Sequence, residues 1–336
     1  KLIAEPKSIL LCRTDRIGDV LLTLPMVDAL KSRYPDAKID LLVQQRVYEL
    51  VYDYPGLNKV HAIDKVTVGK VKAVCKSNEY DLAIAVYPTF EVALGLYLGG
   101  VKYRLGTGYR WYSFLFNMPH YQHRKEAIKH ESTYNLDLLN ELNVVYGKKL
   151  EVVLQVKNEH IESAVGKLKV FGFNENERFV VIHIPSLGSA KVWSNSNFKQ
   201  LFEAILANVN NCYQVVLTGT TSEEEQVKRI TAQLPVNNRI FEVFDLNLKE
   251  LAALLSKAKL FLGNSTGPIH IAAAVGTFVV GLYSPVKVES PLRWGPLTDK
   301  KKIFVPDEDD NSRDVMNDIE PIEVYNFINN HMELNK

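Results

Sequence analysis

The sequence predicts an α/β protein built from two doubly wound, Rossmann-like domains that face each other across a cleft. Three observations carry this. Short β-rich runs alternate with longer segments of 3.6-residue periodicity, the pattern of parallel strands joined by crossover helices. The alternation runs through the first half of the chain and restarts near residue 178. A chain of 336 residues is long for one domain, and 46% hydrophobic content is ample for two cores. The expected division is an N-terminal domain over 1–165, a second over 166–320, and a C-terminal helix over 321–336 that can pack back on the first.

Each element has its own warrant. "SILLCR" (8–13) is a short apolar run, hence a buried strand, and "VLLTLPMVDALKSRYP" after it has helical spacing. "KIDLLVQ" (38–44), "LNKVHAI" (57–63) and "YDLAIAVYP" (80–88) are further strands, with a helix around 46–53. "VKYRLGTG" (101–108) opens a long irregular segment, and "STYNLDLLNELNV" (132–144) places apolar residues three and four apart. "NEHIESAVGKLKVFGFNENE" reads as a connecting helix and turn. Strands follow at 178–185, 213–219, 239–245, 259–263 and 277–283, with amphipathic helices at 195–209 and 248–258.

Composition excludes several classes. A net charge of +1 gives no global attraction to nucleic acid or membrane, so any such preference must be local. Cys12, Cys75 and Cys212 are odd in number and dispersed, which suits neither a disulfide framework nor a metal site. The N-terminal apolar run is too short for a signal peptide, and His270 with two glycines breaks the most apolar stretch, "IHIAAAVGTFVVGLY". A soluble protein in a reducing, cytoplasmic compartment is expected. Asp307 and Asp309 in "PDEDDNSRD" form a D-x-D that reads as a solvated acidic loop, and no metal is expected.

Ligands of open α/β sheets bind at the carboxyl ends of strands, which singles out the loops "TDRIGD", "PSLGSAK" and "NSTGP". In the first, Asp19 precedes an apolar helical run. It is either an N-cap or a carboxylate that takes a proton from an attacking hydroxyl, with Arg16 beside it for an anion. No G-x-G-x-x-G follows the first strand, and no P-loop occurs.

In the last loop, Gly263-Asn264-Ser265-Thr266-Gly267 fits the G-x-S-x-G nucleophile elbow of hydrolases. That reading needs an acid and a histidine downstream, whereas His270 lies on the very helix that follows and little chain remains for further strands. The other reading is a phosphate cradle. Pro268 suits a first helical position, amides and hydroxyls of Ser265, Thr266 and Gly267 point at an anion, and the His270 ring reaches the same phosphates or a backbone carbonyl.

"RTDRIGDVLLTLP" resembles the opening motif of glycosyltransferase family 9, the ADP-heptose:lipopolysaccharide heptosyltransferases. "GNSTGPIHIAAAVGT" resembles the family's second hallmark, "HIPSLGSAKVWSNSNFKQL" the stretch between them, and "KHESTYNLDLL" a weaker family pattern. The resemblance covers the chain from about residue 8 to about residue 325. It implies an inverting GT-B enzyme that needs no metal or other cofactor. It also implies that Asp19 is the general base, that Lys191 contacts the donor phosphates, and that Thr266, Gly267 and His270 cradle them. Two departures stand out: Ser265 where the family has Asp, which bears on the donor sugar, and Ser186 where it often has Gly.

A single displacement with inversion needs one base and charge stabilisation on the leaving diphosphate. Asp19 supplies the first, and Lys191, Ser186 and the Thr266–Gly267 amides the second. By the same resemblance, Thr220, Thr221 and Leu246, at strand ends of the second domain, lie on the nucleoside side. Between 101 and 130, Lys102, Arg104, Arg110, Arg124, Lys125 and Lys129 are interleaved with aromatic residues against one acid, Glu126. With Asp15 and Arg16, Arg104 and Arg110 are the expected acceptor side, matched to an anionic glycolipid of lipopolysaccharide inner-core type. Peripheral contact with the cytoplasmic face of the inner membrane follows, and nucleic acid does not. The expected donor is ADP-heptose. The rival readings are a serine hydrolase using Ser265 and a non-catalytic sugar-nucleotide binder in which Asp19 only caps a helix.

Overall fold

A computed structural model describes residues 5–184, 191–210, 212–307 and 315–334. Strand β1 (Ser8–Cys12) is an apolar run buried from Ile9 onward, as a strand covered on both faces requires. The single helix expected after it is two, α1 (Ile17–Leu21) and α2 (Pro25–Arg33). Pro25 has no N–H and cannot continue the ladder of α1, so tight turns through Leu22–Leu24 join the two. Strand β2 (Lys38–Gln44), α3 (Gln45–Val51), β3 (Lys59–Ile63), α4 (Val68–Asn78), β4 (Leu82–Ala85), α5 (Phe90–Leu98) and β5 (Tyr103–Thr107) follow. The segment expected to be irregular holds a further short strand, β6 (Met118–His120), paired with β5. Helix α6 (Glu131–Asp137) continues into a 3-10 turn.

The second unit opens with α7 (Asn158–Lys169) and β7 (Phe179–His183). It continues through α8 (Asn195–Ala207), β8 (Gln214–Thr218), α9 (Glu224–Thr231), β9 (Ile240–Val243), α10 (Leu248–Lys257) and β10 (Leu260–Asn264). It closes with α11 (Gly267–Ala274), β11 (Phe278–Leu282), α12 (Pro291–Trp294), β12 (Lys301–Phe304) and α13 (Pro321–Leu334).

All pairings in both sheets are parallel. The orders are β3-β2-β1-β4-β5-β6 and β12-β11-β10-β7-β8-β9. Each is the Rossmann order, with its switch point between the first and fourth strands of its unit. The fold is thus the expected pair of Rossmann-like units of a GT-B protein.

The division falls between Val152 and Val153, earlier than expected. Helix α7 therefore belongs to the second unit, where Ser163 and Lys167 hydrogen-bond Glu250 of α10 at 2.6 and 2.9 Å. The C-terminal helix is also corrected. Val324, Ile328 and Met332 of α13 lie in the core of the second unit with Phe198, Leu201 and Phe202 of α8. That apolar face is what holds the helix, and it is satisfied within the unit.

Candidate active site

In the first unit, the carboxyl end of β1 leads into Arg13, whose guanidinium is buried and surrounded by acids. Its Nε donates to Asp15 at 2.8 Å, and one terminal nitrogen donates to Asp19. The other terminal nitrogen lies 3.5 Å from Glu131 and 3.3 Å from the Asn135 side-chain oxygen. Arg124 closes the group from outside, donating to Glu131 at 2.6 Å and Asn135 at 3.0 Å. Burial works against the charge on Arg13, and Asp15, Asp19 and Glu131 more than restore it. Burial pushes the Asp19 carboxyl up to about 6; Arg13 opposes this, and Asp15 and Glu131 add to it. A carboxylate poised near neutrality is what a general base needs. The Thr14 hydroxyl oxygen is buried at the same strand end with no hydrogen-bond partner among the described residues, a costly state that a bound ligand relieves.

Asp19 is not an N-cap. Helix α1 starts earlier, with Arg16 at the capping position, and Asp19 lies in its first turn with its carboxylate on Arg13. Arg16 is exposed, and Asp15 is half-buried with its carbonyl accepting from Arg46 at 2.9 Å. Arg104 braces the edge of β5. Its guanidinium donates to the carbonyls of Val101 at 2.6 Å and Leu115 at 2.8 Å and lies 5.3 Å over the Tyr97 ring. Nε and one terminal nitrogen thus clamp backbone carbonyls at the β5 edge. Arg110 is exposed, next to Trp111, which stacks on Phe90 at 4.9 Å.

In the second unit, Asn264 ends β10 fully buried, and its amide donates to the Lys191 carbonyl at 3.5 Å. The two flanks of the switch point, the loop carrying Lys191 and the start of α11, are thereby tied together. Ser186 lies outside the described residues. Thr266 is the N-cap residue of α11, Gly267 and Pro268 are its first two residues, and His270 is buried in its first turn. The orphan amides of such a turn and its dipole favour an anion. Ser265 is half-buried just ahead of α11, and the buried Tyr283 hydroxyl donates to the Trp294 carbonyl at 2.9 Å. The Asn264 side-chain oxygen, like Thr14, is buried with no partner among the described residues.

At the next strand ends, the Thr220 amide and hydroxyl both donate to Glu223, at 2.7 and 2.9 Å, while Thr221 is exposed and Leu246 half-buried. The backbone turn absorbs Thr220, which leaves Thr221 and Leu246 open on that side. His183, at the end of β7, is held below the usual histidine range by burial and lies 3.3 Å from the Thr218 hydroxyl. Among the described residues, no group of three or more His, Cys, Asp or Glu is placed to hold a metal ion. No helix among them is long and apolar enough to cross a membrane.

The pattern of glycosyltransferase family 9 (heptosyltransferase) matches residues 68–321, most of the chain. The chain belongs to glycosyltransferase family 9. It is similar to lipopolysaccharide heptosyltransferase 3 of Escherichia coli K12, 28% identical over 306 residues that cover 84% of this chain and 83% of the relative. A glycosyl transferase family 9 structure from Veillonella parvula superposes with TM-score 0.84 at 17% identity, covering 99% of this chain and 100% of the other. The ADP-heptose lps heptosyltransferase II of E. coli gives 0.82 at 20% identity, with 98% and 99% covered. This family 9 chain is a glycosyltransferase. The hydrolase and the non-catalytic binder give way to that assignment.

Several residues of the cluster around Asp19 escape the sequence reading: Arg13, Glu131 and Asn135, with Arg124 named only as part of a basic loop. The signal was present. Arg13 opens the motif that carries Asp19, and Glu131 and Asn135 stand four apart in "KHESTYNLDLL", on one face of a helix.

Proposed function

We propose that this glycosyltransferase is inverting and metal-independent, and that it moves heptose from ADP-heptose to an anionic acceptor of lipopolysaccharide inner-core type. The observation that carries the reading is the Asp19 carboxylate, buried at the carboxyl end of β1 and lifted to about 6. In a single displacement, an acceptor hydroxyl oxygen bonds to the anomeric carbon as the bond from that carbon to the diphosphate breaks. Asp19 takes the hydroxyl proton, and ADP leaves with the bonding pair. Lys191, the first turn of α11 with Thr266, Gly267 and His270, and Ser186 stabilise the charge that appears on the diphosphate. Thr221 and Leu246 flank the nucleoside.

Metal independence is supported by the Lys191 side chain and the amides of the first turn of α11, which can take up that charge. An anionic acceptor is supported by Arg16, Arg110 and Lys125, all exposed on the first unit. Exposed Trp111 and Phe114 beside Arg110 support peripheral contact with a membrane surface carrying that acceptor.

The test has two arms. The intact protein is first melted with ADP, UDP, GDP and dTDP at matched concentrations in excess chelator, since a ligand specific to the folded state raises the melting temperature. Transfer from ADP-heptose to inner-core acceptors is then followed in chelator, with the product anomer read by NMR. Stabilisation by ADP alone and an inverted product are expected. Stabilisation by another nucleotide instead overturns the donor, and loss of transfer in chelator overturns metal independence.

A further inference from the structure

The Arg13 guanidinium is shared among more acids than one ion pair requires. Asp15 takes its Nε, Asp19 one terminal nitrogen, and Glu131 the other at 3.5 Å, with Arg124 behind Glu131 at 2.6 Å. Carboxylates and guanidiniums therefore alternate from Asp19 through Arg13 and Glu131 to Arg124. Glu131 is 2% exposed and Asn135 fully buried, so neither is a solvated bystander. The row is also tied to the turn that carries Asp19. The Asn135 amide donates to the Leu22 carbonyl at 3.1 Å and the Thr23 hydroxyl at 3.2 Å, and that hydroxyl donates to the Asp19 carbonyl at 2.9 Å.

We propose that Glu131 is a positioning residue for Asp19: by engaging the far side of Arg13 it keeps that guanidinium a shared partner and leaves Asp19 able to accept the acceptor's proton. The inference rests on Asp19 being the base. An arginine devoted to one aspartate lowers its pKa by roughly 1–3 units, which makes the carboxylate a poor base at neutral pH. Glu131 works the other way twice, by like-charge repulsion and by drawing Arg13 toward α6. The charged groups that face Asp19 are Arg13 from the end of β1, Asp15 from the following loop and Glu131 from α6. Arg124 acts at one remove, through its 2.6 Å contact with Glu131.

The side-chain carboxyls of the intact protein, labelled with 13C at aspartate, report this directly. The Asp19 signal is the one that disappears in Asp19→Asn. In Glu131→Gln its titration midpoint should fall by about one pH unit, and the acid limb of kcat/KM should move down with it. A purely structural role would lower activity at every pH and leave both midpoints where they are; an unmoved or raised Asp19 midpoint overturns the inference. Should Glu131→Gln fail to fold, Glu131→Asp keeps the charge but withdraws it from Arg13, and a lowered midpoint is again expected. A lowered midpoint in a protein that transfers no heptose leaves this inference standing and takes down the functional reading instead.

Discussion

Asp19 is asked for opposite things by folding and by chemistry. Its ordinary value of 3.8 rises to about 6 because burial disfavours the ionised form, with Asp15 and Glu131 outweighing part of what Arg13 returns. A carboxyl raised by folding contributes stability that is full below its unfolded pKa and lost as pH rises through the folded one. The proposed reaction requires the form that folding disfavours. Activity should therefore fall as pH drops below about 6, while Asp19→Asn melts higher than the wild type at pH 7.5, by roughly 1–2 kcal/mol. That gap should close toward pH 4, and the variant should transfer no sugar at any pH. Turnover by the Asp19→Asn variant would remove Asp19 as the base. Ser265 poses a different test. If it serves only as a donor to the diphosphate, Ser265→Ala should cost no more than about tenfold in donor KM, the worth of one hydrogen bond, whereas abolished turnover with donor binding intact would make it a reacting group.

Two elements show packing overriding local preference. Helices α4 and α5 cross so closely that a Cβ on Gly95 would lie 2.5 Å from Val71 Cβ, and one on Gly99 2.4 Å from Cys75 Cβ. Helix propensity alone favours Gly95→Ala by about 1 kcal/mol. Overpacking costs about 1–3 kcal/mol, and two side-chain carbons inside 3 Å put this site at the upper end. A lower urea midpoint is expected, and a higher one would show that α4 yields. In the segment that follows β5, Arg104 and Arg110 should part company. Arg104→Glu would break the carbonyl clamp and lower stability. Arg110→Glu, on an exposed side chain, should leave the melt unchanged and weaken binding of an anionic acceptor, an effect that shrinks in high salt. Equal acceptor affinity for Arg110→Glu and wild type at low salt would remove this loop from the acceptor side.

At the scale of the molecule, the two sheets share one strand order, and the proposed function gives each a different ligand. Amide exchange on the intact protein should therefore resolve them. ADP should slow exchange at the ends of β7 and β10 and the start of α11, and leave β1 and α6 unchanged; protection confined to the first unit would reverse the assignment of units. Much of this was legible in the sequence because parallel strands buried on both faces read as unbroken apolar runs, as in "ILLC" and "FVVIH". Small-residue loops after such runs marked both candidate sites, including Asp19 and Thr266. What stayed hidden was long-range or without amphipathic contrast. Helix α5, "FEVALGLYL", is apolar nearly throughout, and α4 buries only Val71 and Cys75, so neither carries a clear period. Glu131 meets Arg13 across 118 positions of chain, a pairing no local pattern announces. The carbonyls that Arg104 clamps were hidden likewise, because sequence shows its charge and not its partners.

Two of the three tryptophans, Trp193 and Trp111, stand at opposite extremes of exposure, with Trp294 half-buried between them. Trp193 is 2% exposed with its indole N–H on the Ile319 carbonyl, whereas Trp111 is 73% exposed and stacked on Phe90. Emission from the first should be blue and indifferent to iodide; emission from the second should be red and readily quenched. Any large anionic partner that settles beside Arg110 will shade Trp111 from the quencher, so its arrival can be watched in real time without a label.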